Sequence, residues 1–182
     1  MYLIAVSIFA ATTTLNAQEN QFDSIVDFGL PKEVKYMDSL GRELFIKENP
    51  EHFTKELPTF TMPSSKSNAN TYRVGDILIK AIARPNKQDA DSKSADGCSI
   101  ERWIRFHRSL DHRGHQEIKP ISTGRLLVEH GRHVRETMRY SIAGDNLTCD
   151  KMFSITIYYK IKDADKAKQL AEYIIKHVRF KE

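Results

Sequence analysis

Long apolar runs, clustered cysteines and catalytic frames are all scarce in this 182-residue chain, and each scarcity removes a class of protein. The clearest apolar run, Leu3 to Ala11, falls well short of the roughly 20 residues that a membrane-spanning helix needs. Only two cysteines are present, Cys98 and Cys149, and neither lies in a C-x-x-C frame. That argues against a catalytic cysteine. There is no G-x-S-x-G elbow, no S-x-x-K and no papain-like cysteine context, so the usual nucleophile frames are missing. No repeat at solenoid spacing occurs. Charge of one sign is also lacking: 28 Lys and Arg against 24 Asp and Glu leave a net charge of +4. Such a balance attracts anionic surfaces mildly and lacks the dense basic stripe of a nucleic-acid binder.

What is present begins with an export signature. Leu3 to Ala11 is uncharged and apolar, and Leu15-Asn16-Ala17 makes a small-residue step into polar Gln18. This order predicts a signal peptide over residues 1–17, although the basic start usual for such leaders is missing. The expected address is secreted or periplasmic, with no transmembrane anchor after leader removal. Composition, at 40% hydrophobic and 29% charged, is that of a globular protein. We read residues 18–30 as a flexible N-terminal arm and 31–182 as one domain. In an oxidising compartment the even cysteine pair predicts a Cys98–Cys149 disulfide.

Residues 31–45 are mixed, with Gly41 as a break, and Asn49-Pro50-Glu51 signals a short helix that Pro58 ends. Residues 63–71 and 86–97 read as polar loops. Strands are predicted over Ile77 to Ala83, which Gly75-Asp76 opens, and over Ile100 to His107. His130-Gly131-Arg132 reads as a glycine-centred hairpin turn between Arg125–Glu129 and Val134–Ile142. In the second arm Val134, Met138, Tyr140 and Ile142 share a face, with Arg135, Thr137 and Arg139 on the other. Phe153, Ile155, Ile157, Tyr159 and Ile161 alternate without interruption, a strong strand signal. Asp163 is then placed to cap a helix whose Ala164, Ala167, Leu170, Ala171, Ile174 and Val178 form one apolar stripe. The expected fold class is α/β in the α+β sense: an antiparallel sheet of about four to six strands, covered by helices, with the C-terminal helix packed on it.

Three features carry a resemblance: the Val134–Ile142 hairpin arm, the Phe153–Ile161 strand, and the closing helix ending in Val178-Arg179-Phe180. Together they resemble the Mog1/PsbP group of α/β/α sandwich domains over the last third of the chain. The resemblance implies non-enzymatic binding or assembly roles, and it accounts for neither the histidines nor the cysteine pair.

Histidine is concentrated oddly, with His107, His112, His115, His130 and His133 inside one short stretch. Imidazole is a common zinc ligand, and His112, His115, His130 and His133 are the candidate metal set. None lies in an H-E-x-x-H frame, and Arg113 and Arg132 stand inside the two pairs and would repel a cation. Arginine is concentrated in the same region. Arg105, Arg125, Arg132, Arg135 and Arg139 could grip phosphate or carboxylate through guanidinium forks, although Glu101, Glu129 and Glu136 offset their field. Asp89, Asp91 and Asp96 lie in a solvated loop unsuited to shifted acid–base chemistry. Asn146-Leu147-Thr148 is a glycosylation sequon.

The reading that follows is an exported, non-catalytic binding or assembly module without a cofactor. It presents the Arg/His-rich hairpin face to a protein, envelope or small anionic ligand, and not to nucleic acid. The rival is a metal-dependent hydrolase that uses zinc on the histidines.

Overall fold

A computed structural model describes residues 25–48, 70–86, 98, 100–101, 104, 115–134 and 137–182. Within these, nine strands and two complete helices follow in the order β1 (Val26–Asp27), β2 (Lys35–Met37), α1 (Ser39–Glu48), β3 (Asn70–Val74), β4 (Ile77–Pro85), β5 (His115–Ile121), β6 (Gly124–Val134), β7 (Thr137–Asn146), β8 (Lys151–Lys160), α2 (Ala164–His177) and β9 (Arg179–Phe180). Seven strands form one antiparallel sheet in the order β2-β3-β4-β8-β7-β6-β5, and β1 pairs with β9 in a separate two-stranded ladder.

The two-residue period decides what each sheet face carries. On β8, Phe153, Ile155, Ile157 and Tyr159 point to one face and are buried. Ile77, Ile79, Ala81 and Ala83 of β4 share that face, with Leu126 and Val128 of β6 and Ile142 of β7. Helix α2 covers it through Ala167, Leu170, Ala171 and Ile174, at the spacing that puts side chains on one helical stripe. Removing each large aliphatic chain here from water contributes about 1.5–3 kcal/mol. The antiparallel sheet and its C-terminal helix are therefore as expected, but the described residues are mostly β. The second sheet face meets α1 through Arg42, which donates to Thr71 Oγ1 at 3.5 Å. It also meets Ile100, whose backbone N–H donates to Asp145 Oδ2 at 2.8 Å.

Several local expectations change. Ile25 to Leu30, read as the end of a loose arm, are docked: Val26 and Phe28 are buried, and Lys181 N–H donates to Ile25 O at 3.0 Å. Gly29 makes that approach possible, because its φ is +60° and a Cβ there would lie 2.6 Å from the His177 carbonyl carbon. Gly41 does not break the chain. Its N–H donates to Asp38 Oδ1 at 2.7 Å, so Asp38 caps α1 and Gly41 sits in the first turn. Ile100, Glu101 and Ile104 are helical where a strand was expected, since Ile100 and Ile104 suit a helical repeat as well as an alternating one.

The hairpin turn also moves. β6 runs through His130-Gly131-Arg132 without turning, Gly131 pairs with Arg139, and the register shifts between Arg132 and Val134. Val134 pairs with Thr137, so the reversal lies between those two. At the far end of β8, Ile161 leaves the strand for a 3-10 turn and is exposed. Asp163 stands at the start of α2 without making a capping hydrogen bond. The expected helix from Asn49, the loop at 87–97 and the leader lie outside the described residues, as does most of the arm.

Cys98 and Cys149 form the expected disulfide, with Cα atoms 5.0 Å apart. No helix among the described residues is long and apolar enough to cross a membrane.

Candidate functional site

His130 and His133 lie on opposite faces of the sheet: His130 stacks on Tyr140, whereas His133, at the register shift, meets Tyr158, which alternates with the buried Tyr159 of β8. On the α2 face, His130 stacks on Tyr140 with ring centroids 4.2 Å apart, and its Nε2 lies 2.6 Å from the Tyr159 hydroxyl. His115 stands opposite His130 in the register. Burial, and secondarily the His115 charge, lowers the His130 pKa. Burial, and then Tyr140, pushes Tyr159 well above the ordinary tyrosine value. The two tyrosines and His130 form one stacked array, with His130 hydrogen-bonded to Tyr159.

On the second face the arrangement differs. His133 meets Tyr158 edge-on, with centroids 5.0 Å apart, and Tyr158 pairs in register with Arg139. His133 Nε2 is enclosed and has no hydrogen-bond partner among the described residues. Burial lowers the His133 pKa and the Arg139 cation lowers it further. Burial raises Tyr158, while Arg139 pulls it the other way. One row away, a line of polar residues crosses six strands: Thr71, Lys80, Thr156, Ser141, Glu129 and Gln116 are successive register partners. Gln116 Nε2 donates to Glu129 Oε1 at 2.5 Å. Lys80 is half-buried, and burial, then Arg42, lowers its pKa.

The sequence-predicted residues therefore divide. Arg139 and His133 come together with Tyr158. Arg132 lies exposed on the α2 face, opposite Met138. Arg125 is taken by Glu101, whose two carboxylate oxygens meet its guanidinium at 2.5 and 2.6 Å. Arg105, Arg135 and His112 lie outside the described residues. His115 and His130 share a face that His133 does not, so the four histidines cannot converge on one ion. The one metal-like grouping among the described residues is Cys98, Glu101 and Asp145. Its sulfur is in the disulfide, Glu101 holds Arg125, and Asp145 accepts the Ile100 N–H. Those contacts use the three groups to join the helical segment to the sheet.

Lys80 and Tyr158 were missed in the sequence. A lysine inside the apolar run from Ile77 to Ala83, and the doubled Tyr158-Tyr159 inside an alternating strand, were the available signals.

The two lowered imidazoles give a pH prediction. A histidine whose folded pKa lies below its unfolded value of about 6.5 binds fewer protons folded than unfolded in the window between the two. Stability is then lost as pH falls through that window. Urea unfolding midpoints should drop between about pH 7.5 and pH 5, and His130→Asn should flatten the slope. A midpoint that rises on acidification would contradict the assignment.

A scan of protein-family models gives no match to this chain, and a search of curated proteins gives none either.

Proposed function

We propose that the chain is an exported, non-catalytic binding module, and that His133, Arg139 and Tyr158 form the centre of its ligand surface. The ligand group is an anionic oxygen, carboxylate or phosphate, carried by a small molecule, a protein or the cell envelope. One observation carries the reading: an enclosed imidazole nitrogen without a partner among the described residues stands beside a guanidinium and a phenol. Burial and a neighbouring cation both disfavour imidazolium there, and the charge of an anion seated between the two side chains would offset them by stabilising the protonated ring. Guanidinium and imidazolium together offer charge-assisted donors suited to such an oxygen. The disulfide supports an oxidising, secreted or periplasmic address. The layering of α2 on an antiparallel sheet, with helical residues near the other face, supports kinship with the Mog1/PsbP sandwich domains.

The test is calorimetric titration with inorganic phosphate. Wild-type protein should bind with one site, and Arg139→Ala should weaken binding by about tenfold or more, as expected for loss of a charge-assisted pair. Equal affinity in the two proteins would end the proposal.

A further inference from the structure

The sheet ends at β5, and among the described residues nothing pairs with its outer side. The two-residue connection from Ile121 to Gly124 makes those residues a hydrogen-bonded pair with each other. Alternate residues Gln116, Ile118 and Pro120 therefore direct their backbone polar groups outward. Pro120 fits this, since it has no N–H to give to either side. Ile118 is 53% exposed, and Glu117 and Pro120 are exposed beside it.

We propose that this edge pairs with the same edge of a second copy, antiparallel, about a two-fold axis at Ile118. The charge pattern selects both the partner and the register. Glu117 and Lys119 flank Ile118 on one face of the strand, with Lys119 Nζ 3.1 Å from Glu117 Oε2. Centring the axis on Ile118 sets each Glu117 opposite the Lys119 of the other copy, which makes a ring of four alternating charges. These are close, non-hydrogen-bonded positions across the new pair, where side chains interact most strongly. Centring on Glu117 or Lys119 would instead place like charges face to face. Centring on Pro120 would set two residues without N–H groups against each other.

At Ile118 the backbones exchange a full pair of hydrogen bonds. Each Pro120 carbonyl accepts from the Gln116 N–H of the other copy, so four of the six possible bonds form. Lysine, proline and short length ordinarily protect an edge from indiscriminate pairing. Here the same residues disfavour the registers centred on Glu117, Lys119 and Pro120. An isologous contact of this kind closes as a dimer and does not propagate. It also joins the two sheets into one, with the His133–Arg139 surface on the same side in both copies.

The experiment is analytical ultracentrifugation of the full chain, disulfide intact, across the micromolar range. Wild type should sediment as a dimer in equilibrium with monomer. Glu117→Lys and Lys119→Glu alone should each weaken dimerisation by about tenfold or more, since each turns the ring to one sign. The double exchange, Glu117→Lys with Lys119→Glu, restores alternation and should restore the dimer. These exposed positions should leave the thermal midpoint of the monomer unchanged. As a second route, Ile118→Cys should form an intermolecular disulfide on oxidation. A wild type that stays monomeric, single variants that dimerise normally, or a double exchange that remains monomeric would each overturn the proposal.

Discussion

Serine at both Cys98 and Cys149 is expected to cost the fold about 4 kcal/mol, lowering the thermal midpoint by on the order of 10 °C. The two positions are 51 residues apart in sequence, so the bond removes a large loop from the unfolded ensemble. Locally it ties the helical segment at Ile100 and Glu101 to the turn between β7 and β8. Two further contacts repeat that tie: the Ile100 N–H on Asp145, and the Glu101–Arg125 pair. Cys149 itself holds a φ of +59°, which a non-glycine residue adopts only at a cost that its surroundings meet. Asn146 supports that turn by donating to Thr148 Oγ1 at 2.9 Å and accepting Lys151 N–H at 2.9 Å. Denaturant unfolding of the double serine variant checks the figure. A loss below about 1 kcal/mol would show that the noncovalent ties alone hold the segment.

The second large effect is expected at Phe153→Ala, at about 3–5 kcal/mol. The side chain is fully buried on β8, and three elements converge on it. Phe28 meets it edge-on at 6.3 Å, Phe180 of β9 lies 5.2 Å away, and Gly144 on β7 leaves the room its ring fills. A Cβ on Gly144 would come within 2.4 Å of the ring. Truncation therefore opens a cavity and removes the shared support of the β1–β9 ladder. Amide exchange at Val26 and Phe180 should accelerate beyond the change seen on β7. Global destabilisation without that local gain would mean that the ladder is held elsewhere, for instance by the Phe180 N–H bond to Thr123 Oγ1 at 3.0 Å.

The parts of the fold legible in the sequence are those where one period runs long enough to exclude the other. Phe153 to Tyr159 alternates through a central strand, and Ala167 to Ile174 repeats at helical spacing, so each face is fixed before packing is known. Gly131 shows the opposite case. A glycine between His130 and Arg132 reads locally as a turn, yet the pairing partner, Arg139, is what keeps it in a strand. That single error carried into the site. With a turn at Gly131, His130 and His133 could face each other; with the strand running on to the register shift, one ring packs on Tyr140 and the other on Tyr158, on opposite faces. Proximity in sequence grouped the arginines in the same misleading way, because Arg125 and Arg139 occupy distant register positions and Arg132 the other face. Tyr158 reaches the site from β8, the hairpin partner of β7, and Lys80 comes within one row of it from β4, a strand far away in the chain that only the strand order places there.

The most direct test follows the His133 ring nitrogens by NMR during titration with inorganic phosphate. The account predicts that the His133 signals shift with occupancy and that its pKa rises toward or above the ordinary histidine value as the anion binds. His130, stacked on Tyr140 and hydrogen-bonded to Tyr159 on the opposite face, should stay unchanged. Phosphate that leaves His133 unmoved, or moves His130 instead, would contradict the assignment of this surface as the binding site.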